Sequence, residues 1–284
     1  MTHASTGQCE LMEPLVARVL APNPSPYTYT GTQTYLVGAQ DLAVIDPGPD
    51  EPEHIGALLA AIDDRPVLAI MCTHTHRDHS PLAARLKAET GAEIVGCAPL
   101  VLDDHGPRAD AAFDRSYAPD RVLADGARVT GEGWTLEAVA TPGHTSNHLC
   151  FALVETDALF SGDHVMGWST TVVSPPDGDM AAYMQSLDKL IARSDRIYYP
   201  AHGPAVEKPQ RFVRHMAGHR RQRERQILRL LEKGPQEIPA MVERMYVGLD
   251  PRLHGAAERS VLAHLIDLRN RELVLTEGDA WRSR

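Results

Sequence analysis

The chain has 284 residues, 43% of them hydrophobic and 23% charged, with a formal net charge of −10. These are the proportions of a globular chain with a sizeable core, and no stretch approaches the ~20 uninterrupted apolar residues of a membrane span. The acidic balance disfavours extensive nonspecific nucleic-acid binding. It is unevenly spread, however: residues 1–207 hold 12 Lys and Arg against 28 Asp and Glu, whereas residues 208–284 hold 16 against 10. Two parts are expected, 1–207 and 208–284.

The start, MTHASTGQCELMEPLVARV, has no basic segment leading into an apolar run, so a secretory signal is not expected and a cytoplasmic location is. Beyond it, QTYLVG, DLAVID, PVLAIMC, AEIVGC, TLEAVA, LCFALVE and RIYYP read as strands. Between them PEHIGALLAAID, SPLAARLKAE and MAAYMQSLDKLIA read as helices, the last with Tyr183, Leu187, Leu190 and Ile191 on one face. Strands interleaved with helices predict a layered α/β domain. After the proline-bearing GPAVEKPQ come three helical runs and LVLTEGDAW, the order of a small winged helix-turn-helix. Cys9, Cys72, Cys97 and Cys150 show no C-x-x-C spacing and are expected to be reduced, mostly buried thiols.

Several strand runs end in polar residues beside Gly or Pro: VIDPGP, AIMCTHTH, AVATPGHT, ALFSGDH and YYPAHGP. Such loops converge on one sheet edge, where a rigid scaffold can hold their side chains in fixed relation. The densest is H-x-H-x-D-H. His74 and His76 project to the same side of an extended segment, and Asp78 and His79 follow as the chain turns at Ser80-Pro81. A first-row metal needs several such groups aimed at one point, more than one loop supplies. His144, Asp163 and His202, each at a strand end, are the candidates to complete the shells.

Asp46, the run His74 to His79, His144, Asp163 and His202 resemble, in order, the motif set of the metallo-β-lactamase superfamily. The resemblance covers nearly the whole chain and implies a four-layered αββα sandwich with two divalent metal ions at one edge. It implies His74, His76 and His144 on the first ion, Asp78, His79 and His202 on the second, Asp163 bridging both, and Asp46 behind them fixing a ligand loop. Nitrogen and oxygen ligation suits zinc foremost, with manganese or iron as alternatives. Two ions ~3.5–4 Å apart would share a water and bring its pKa toward neutrality, so that hydroxide attacks a carbonyl or phosphorus. Asp78, Asp163 and His148 are the catalytic candidates. Asp163 would orient the nucleophile, and His148 would either donate a proton to a leaving group or pair with the loop backbone. His3, His54, His105, His215, His219, His254 and His264 are read as ordinary core or surface residues.

The bridging Asp163 is atypical of true β-lactamases, and the 39 positions from Asp163 to His202 leave no room for the inserted domain of nucleic-acid-processing relatives. TPGHTSNH, SGDHVMGWSTTV, YPAHGP and the terminal segment are similar to the β-lactamase-like protein 2 group, whose animal member is similar to an endoribonuclease acting on single-stranded RNA. Trp168, Ser169, Thr170 and Thr171 would then wall the pocket. Substrate expectations follow in two forms, single-stranded RNA or a small ester-type molecule; a thioester or lactone hydrolase resembling glyoxalase II is the alternative enzyme. A third reading is a nucleic-acid-binding regulator with a metal sensor domain. Arg220, Arg221, Arg223 and Arg225 spread around a helix and are read as a charged, solvated surface rather than a phosphate-binding face. No membrane partner is expected, and a homodimer is a candidate assembly.

Overall fold

A computed structural model describes residues 5–100 and 113–284. Strands β1 (Cys9–Glu13), β2 (Val16–Leu20), β3 (Gln33–Val37) and β4 (Leu42–Ile45) form an antiparallel meander, and β5 (Val67–Cys72), β6 (Glu93–Gly96) and β7 (Arg121–Val122) extend it in parallel. Helices α1 (Pro52–Ile62) and α2 (Ala83–Thr90) make the crossovers that parallel pairing requires. The second sheet comprises β8 (Arg128–Gly131), β9 (Trp134–Ala140), β10 (Leu149–Leu153), β11 (Ala158–Gly162) and β12 (Ile197–Pro200), in the order β12-β11-β10-β9-β8. Helix α3 (Met180–Ile191) joins β11 to its parallel neighbour β12 and is capped by Asp179, whose carboxylate accepts the Ala182 N–H.

Strands β3, β4, β10 and β11 are buried along their whole length, because both faces of each sheet are covered. Between the sheets lies one apolar core, where Tyr35 of the first meets Phe160 and Tyr199 of the second at ring separations of 5.0 and 5.7 Å. Outside the first sheet pack Ile55, Leu58 and Leu86 of the helices; outside the second, Tyr183, Leu187 and Leu190 pack on Cys150 and Leu159. The result is the expected helix–sheet–sheet–helix sandwich.

The C-terminal segment consists of α4 (Pro209–Leu231), α5 (Ile238–Met245), a 3-10 turn (Pro251–Leu253), α6 (His254–Asn270) and the hairpin β13 (Val274–Glu277) and β14 (Ala280–Ser283). It has its own core of Met241, Val242, Val261, Leu265, Val274 and Trp281. Helix α4 belongs to both parts. Val213, Met216 and Ala217 of its first half pack with α3, while Ile227 and Leu231 of its second half enter the C-terminal core. No helix among the described residues is long and apolar enough to cross a membrane.

Candidate metal centre

Parallel pairing of β4 with β5 and of β11 with β12 brings the carboxyl ends of these strands to one edge of the sandwich. Asp46 follows β4, the Thr73–Ser80 loop follows β5, His144 follows β9, Asp163 follows β11 and His202 follows β12. Two glycines make the approach close enough. Gly162, at φ +50°, lies where a Cβ would come within 2.7 Å of His148 Nε2 and 2.8 Å of Thr73 Oγ1; Gly143, at φ +139°, backs onto the Tyr183 Cα, 2.3 Å from where a Cβ would stand.

The ligand atoms gather in two clusters. His74, His76, His144 and Asp163 each bring one donor within 4.8 Å of the others, and Asp78, His79 and His202 do the same alongside. The Asp163 carboxylate spans both: Oδ2 lies 3.6 Å from His144 Nε2, and Oδ1 lies 3.2 Å from His202 Nε2 and 3.6 Å from His79 Nε2.

The partners of the outer ring nitrogens fix how the inner ones are protonated. Thr73 Oγ1 must donate to Asp46 Oδ2, which can only accept, so at 3.0 Å it accepts from His74 Nδ1–H and leaves His74 Nε2 with a lone pair. His144 Nδ1–H donates to the Val172 carbonyl at 2.7 Å, so its Nε2 is also a lone pair. Both lone pairs face His76 Nδ1, at 3.0 and 3.1 Å, and a single proton there can satisfy only one of them. In the second cluster His79 Nδ1–H donates to Asp46 Oδ2 at 3.0 Å and His202 Nδ1–H to the Gly31 carbonyl at 3.2 Å. Their Nε2 atoms both lie 3.2 Å from Asp78 Oδ2. His79 Nε2 and Asp163 Oδ1, both buried, make no hydrogen bond. Convergent lone pairs and carboxylate oxygens repel one another unless a cation lies among them, so the donor set fits two divalent ions.

Electrostatics follow from the same geometry. Burial disfavours charge on His74, and the neighbouring His79 and His76 add to this, holding it neutral. Burial also works against a charged His202, yet the Asp163 and Asp78 carboxylates outweigh it and push its pKa up to about 10. Asp163 and Asp78 are held well below the carboxylate range, burial being overcome in each case by His202 and His79. Metal-free, the second cluster is thus balanced by protons that bound ions would displace.

Asp46, at φ +49°, accepts from the Thr73 N–H and hydroxyl at 2.8 Å as well as from His79, and so ties the ligand loop to the end of β4. His148 does not face the clusters with a donor. Its Nε2 accepts the Asp163 backbone N–H at 3.3 Å and its Nδ1–H goes to Thr141 Oγ1 at 2.9 Å, which is the backbone-pairing arrangement of the two foreseen. Trp168, Ser169, Thr170 and Thr171 line a cavity of about 460 Å3 that opens onto His76, Asp78, His144, Asp163 and His202. Thr171 also places its hydroxyl 3.1 Å from His144 Nδ1.

The C-terminal segment lines the same cavity with Arg220, Tyr246, Leu249, Leu253, Ala256 and Ser260. Sequence reasoning singled out none of these as site residues and read Arg220 as solvated; it is 3% exposed. A signal existed. Val213, Met216, Ala217 and Ile227 recur at helical spacing, and Arg220 falls on that apolar face. Arg221 instead points outward toward Asp188 at 3.5 Å, and Arg223 stacks on the Tyr246 ring. Of the other histidines, His54 and His264 are buried and His219 lines the cavity, while His3 and His105 lie outside the described residues. Cys72, Cys97 and Cys150 are buried free thiols, and Cys9 is exposed.

A model of the metallo-beta-lactamase superfamily matches residues 27–202, and one of the beta-lactamase associated winged helix domain matches residues 238–281. An atrochrysone carboxyl ACP thioesterase from Aspergillus fumigatus is 35% identical over 231 residues, 79% of this chain and 67% of that protein. A beta-lactamase-like protein 2 homolog from Caenorhabditis elegans is 35% identical over 236 residues, 82% of this chain and 76% of its own. Among solved structures, a beta-lactamase domain protein from Burkholderia ambifaria superposes with a TM-score of 0.83 over all of this chain and 95% of that one; at 21% identity the likeness is one of fold.

Proposed function

Because the chain belongs to the metallo-beta-lactamase superfamily, with its associated winged helix domain, and is a hydrolase, we propose that it uses a dinuclear metal centre to hydrolyse thioesters of largely apolar acyl groups. The observation that carries the reading is the cavity. Beside His76, Asp78, Asp163 and His202 it is lined by Met166, Val172, Leu249, Leu253 and Ala256, with Arg77 and Arg220 set among them, which suits a largely apolar acyl group better than a polyanion. One relative named as a thioesterase supports it from outside.

In this account His74, His76 and His144 would hold one ion and Asp78, His79 and His202 the other, with Asp163 shared between the two groups. Zinc is proposed, the donors being imidazole and carboxylate, with manganese or iron able to fill the same cage. Two such ions supply acidified water and positive charge for a developing oxyanion. Asp163 and Asp78, both ionised and each 3.2 Å from His202 Nε2, supply the negative charge that would hold the ions and orient the attacking water. Asp46 holds His79 and the Thr73 loop in place. His148 acts by fixing the Asp163 backbone, since its one proton is spent on Thr141. His148 is therefore not poised to protonate a leaving group. A thiol, with a pKa of about 8.5, needs that help far less than an alcohol, which favours thioesters over oxygen esters.

A second reading, single-stranded RNA, draws on the Tyr29–Trp168 pair, stacked at 5.0 Å and 38% and 37% exposed, on which a base could stack. The regulator reading has no observation in its favour. The boundary between the two parts is placed near residue 208, with α4 shared by both. Three buried thiols fit a reducing compartment, and the cytoplasm is proposed. A panel of aryl and alkyl thioesters, lactones and single-stranded RNA on metal-loaded protein tests the choice. Thioester turnover exceeding RNA cleavage by orders of magnitude is expected, and the reverse ranking would replace the proposal with the second reading.

A further inference from the structure

Arg220 is almost completely buried, yet its guanidinium has no carboxylate partner among the described residues. Its Nη2 donates to the Thr171 carbonyl, its Nη1 lies 3.4 Å from Ser260 Oγ, and its plane sits 5.3 Å from the centre of the Tyr183 ring. The Nε–H makes no hydrogen bond. An unpaired buried charge costs several kcal/mol unless something answers it. The field of this one is felt around it: after burial itself, Arg220 is the largest influence keeping His264 and His219 neutral, with pKa values lowered to about 3 and about 4.

Arg220 also faces the substrate cavity, together with Ser260 from α6 and His219, whose Nδ1 is likewise without a hydrogen bond. Around them the wall is apolar, from Leu253, Ala256 and Ala257. Thr171 joins this corner to the metal centre, since its carbonyl takes Arg220 and its hydroxyl lies 3.1 Å from His144 Nδ1.

We propose that Arg220, with Ser260, forms an anion subsite that selects acyl groups carrying a carboxylate on an otherwise apolar body. The proposal rests on the cavity being the substrate cavity, as in the hydrolase reading above. One guanidinium and one hydroxyl match a monoanion. A phosphate would call for a second cation beside Arg220; Arg223, one turn on in α4, is committed to the Tyr246 ring, the Met245 carbonyl and Gln226, and Arg77, the cavity's other arginine, is exposed on the metal-ligand loop. Arg220 is therefore a specificity-determining residue and not a catalytic one.

Binding separates this claim from turnover. On metal-loaded protein, 2-naphthoate is compared with its neutral isostere 2-naphthamide by calorimetry, in the parent, Arg220→Gln, Arg220→Lys and Ser260→Ala, each checked for thermal stability and ions held per chain. The parent should bind the carboxylate about 10- to 100-fold tighter than the amide. Arg220→Gln should erase that preference with amide affinity retained, and Arg220→Lys should keep part of it. If Arg220→Gln does not fold, Ser260→Ala decides, with a carboxylate-selective weakening of about threefold. A preference absent from the parent, or surviving in Arg220→Gln because the carboxylate sits on the ions, overturns the subsite. A preference erased as expected in a protein that hydrolyses no thioester would overturn the hydrolase reading and leave the subsite standing.

Discussion

Asp46 shows how one side chain governs several ligands without touching an ion. It accepts three hydrogen bonds, from the Thr73 N–H, the Thr73 hydroxyl and His79 Nδ1, and through Thr73 it also sets the tautomer of His74. Asp46→Asn would put an amide N–H against at least one of these donors. Affinity for the second ion should fall about 10- to 100-fold, measured by competition with a chelator. Unchanged affinity for both ions would show that Asp46 has no such hold. The ligand residues themselves were legible in the sequence because each ends a strand and the strand order alone brings them together. Arg220 was not. It sits among Arg221, Arg223 and Arg225, and a local count of charges says surface where the helical period, read from Val213 to Ile227, says core. His148 was legible as a member of the site, but only its contacts with Thr141 and the Asp163 backbone separate positioning from proton transfer.

At the scale of elements, the central strands β3, β4, β5 and β10 were plain as apolar runs, whereas β1, β7 and β8 were not. Strand β1, CELME, is exposed over its first three residues, β7 is two exposed residues long, and β8 is held by its pairing with β9. Edge strands owe their shape to a neighbour, so their own residues carry little pattern. The C-terminal end of β11 has little freedom, because Gly162 turns the chain at positive φ between His148 and Thr73 just before Asp163. Gly162→Ala would strain that turn by about 1 kcal/mol and also force His148 or Thr73 aside. Lower thermal stability together with loss of bound metal is expected. A variant with both intact would show that the loop has more room than its contacts indicate.

For the molecule as a whole, His54 and His264, buried in neutral form outside the metal-ligand clusters, make stability depend on pH. Burial lowers the pKa of His54 from 6.5 to about 4 and that of His264 from 6.5 to about 3, the latter with help from Arg220. The unfolded chain therefore binds protons that the folded one refuses. The contribution of these two is complete above pH 6.5 and is lost as pH falls toward 4, His54 alone contributing on the order of 3 kcal/mol. Denaturation midpoints of the metal-free protein should fall across that window, and the fall should be shallower in His54→Gln. Midpoints that stay level between pH 6.5 and 4 would contradict neutral burial. The C-terminal segment is joined to the sandwich by α4 and lines the cavity beside the metal-ligand clusters, so in the proposed reading both parts contribute to one substrate site. The central claim, a two-metal thioester hydrolase, is tested most directly by measuring ions per chain and turnover of an apolar acyl thioester on the same preparation, in the parent and in Asp163→Ala. Two ions per chain and a turnover that falls at least about 100-fold in the variant are predicted. Thioester hydrolysis that survives the substitution, or a parent that holds two ions and hydrolyses no thioester, would contradict it.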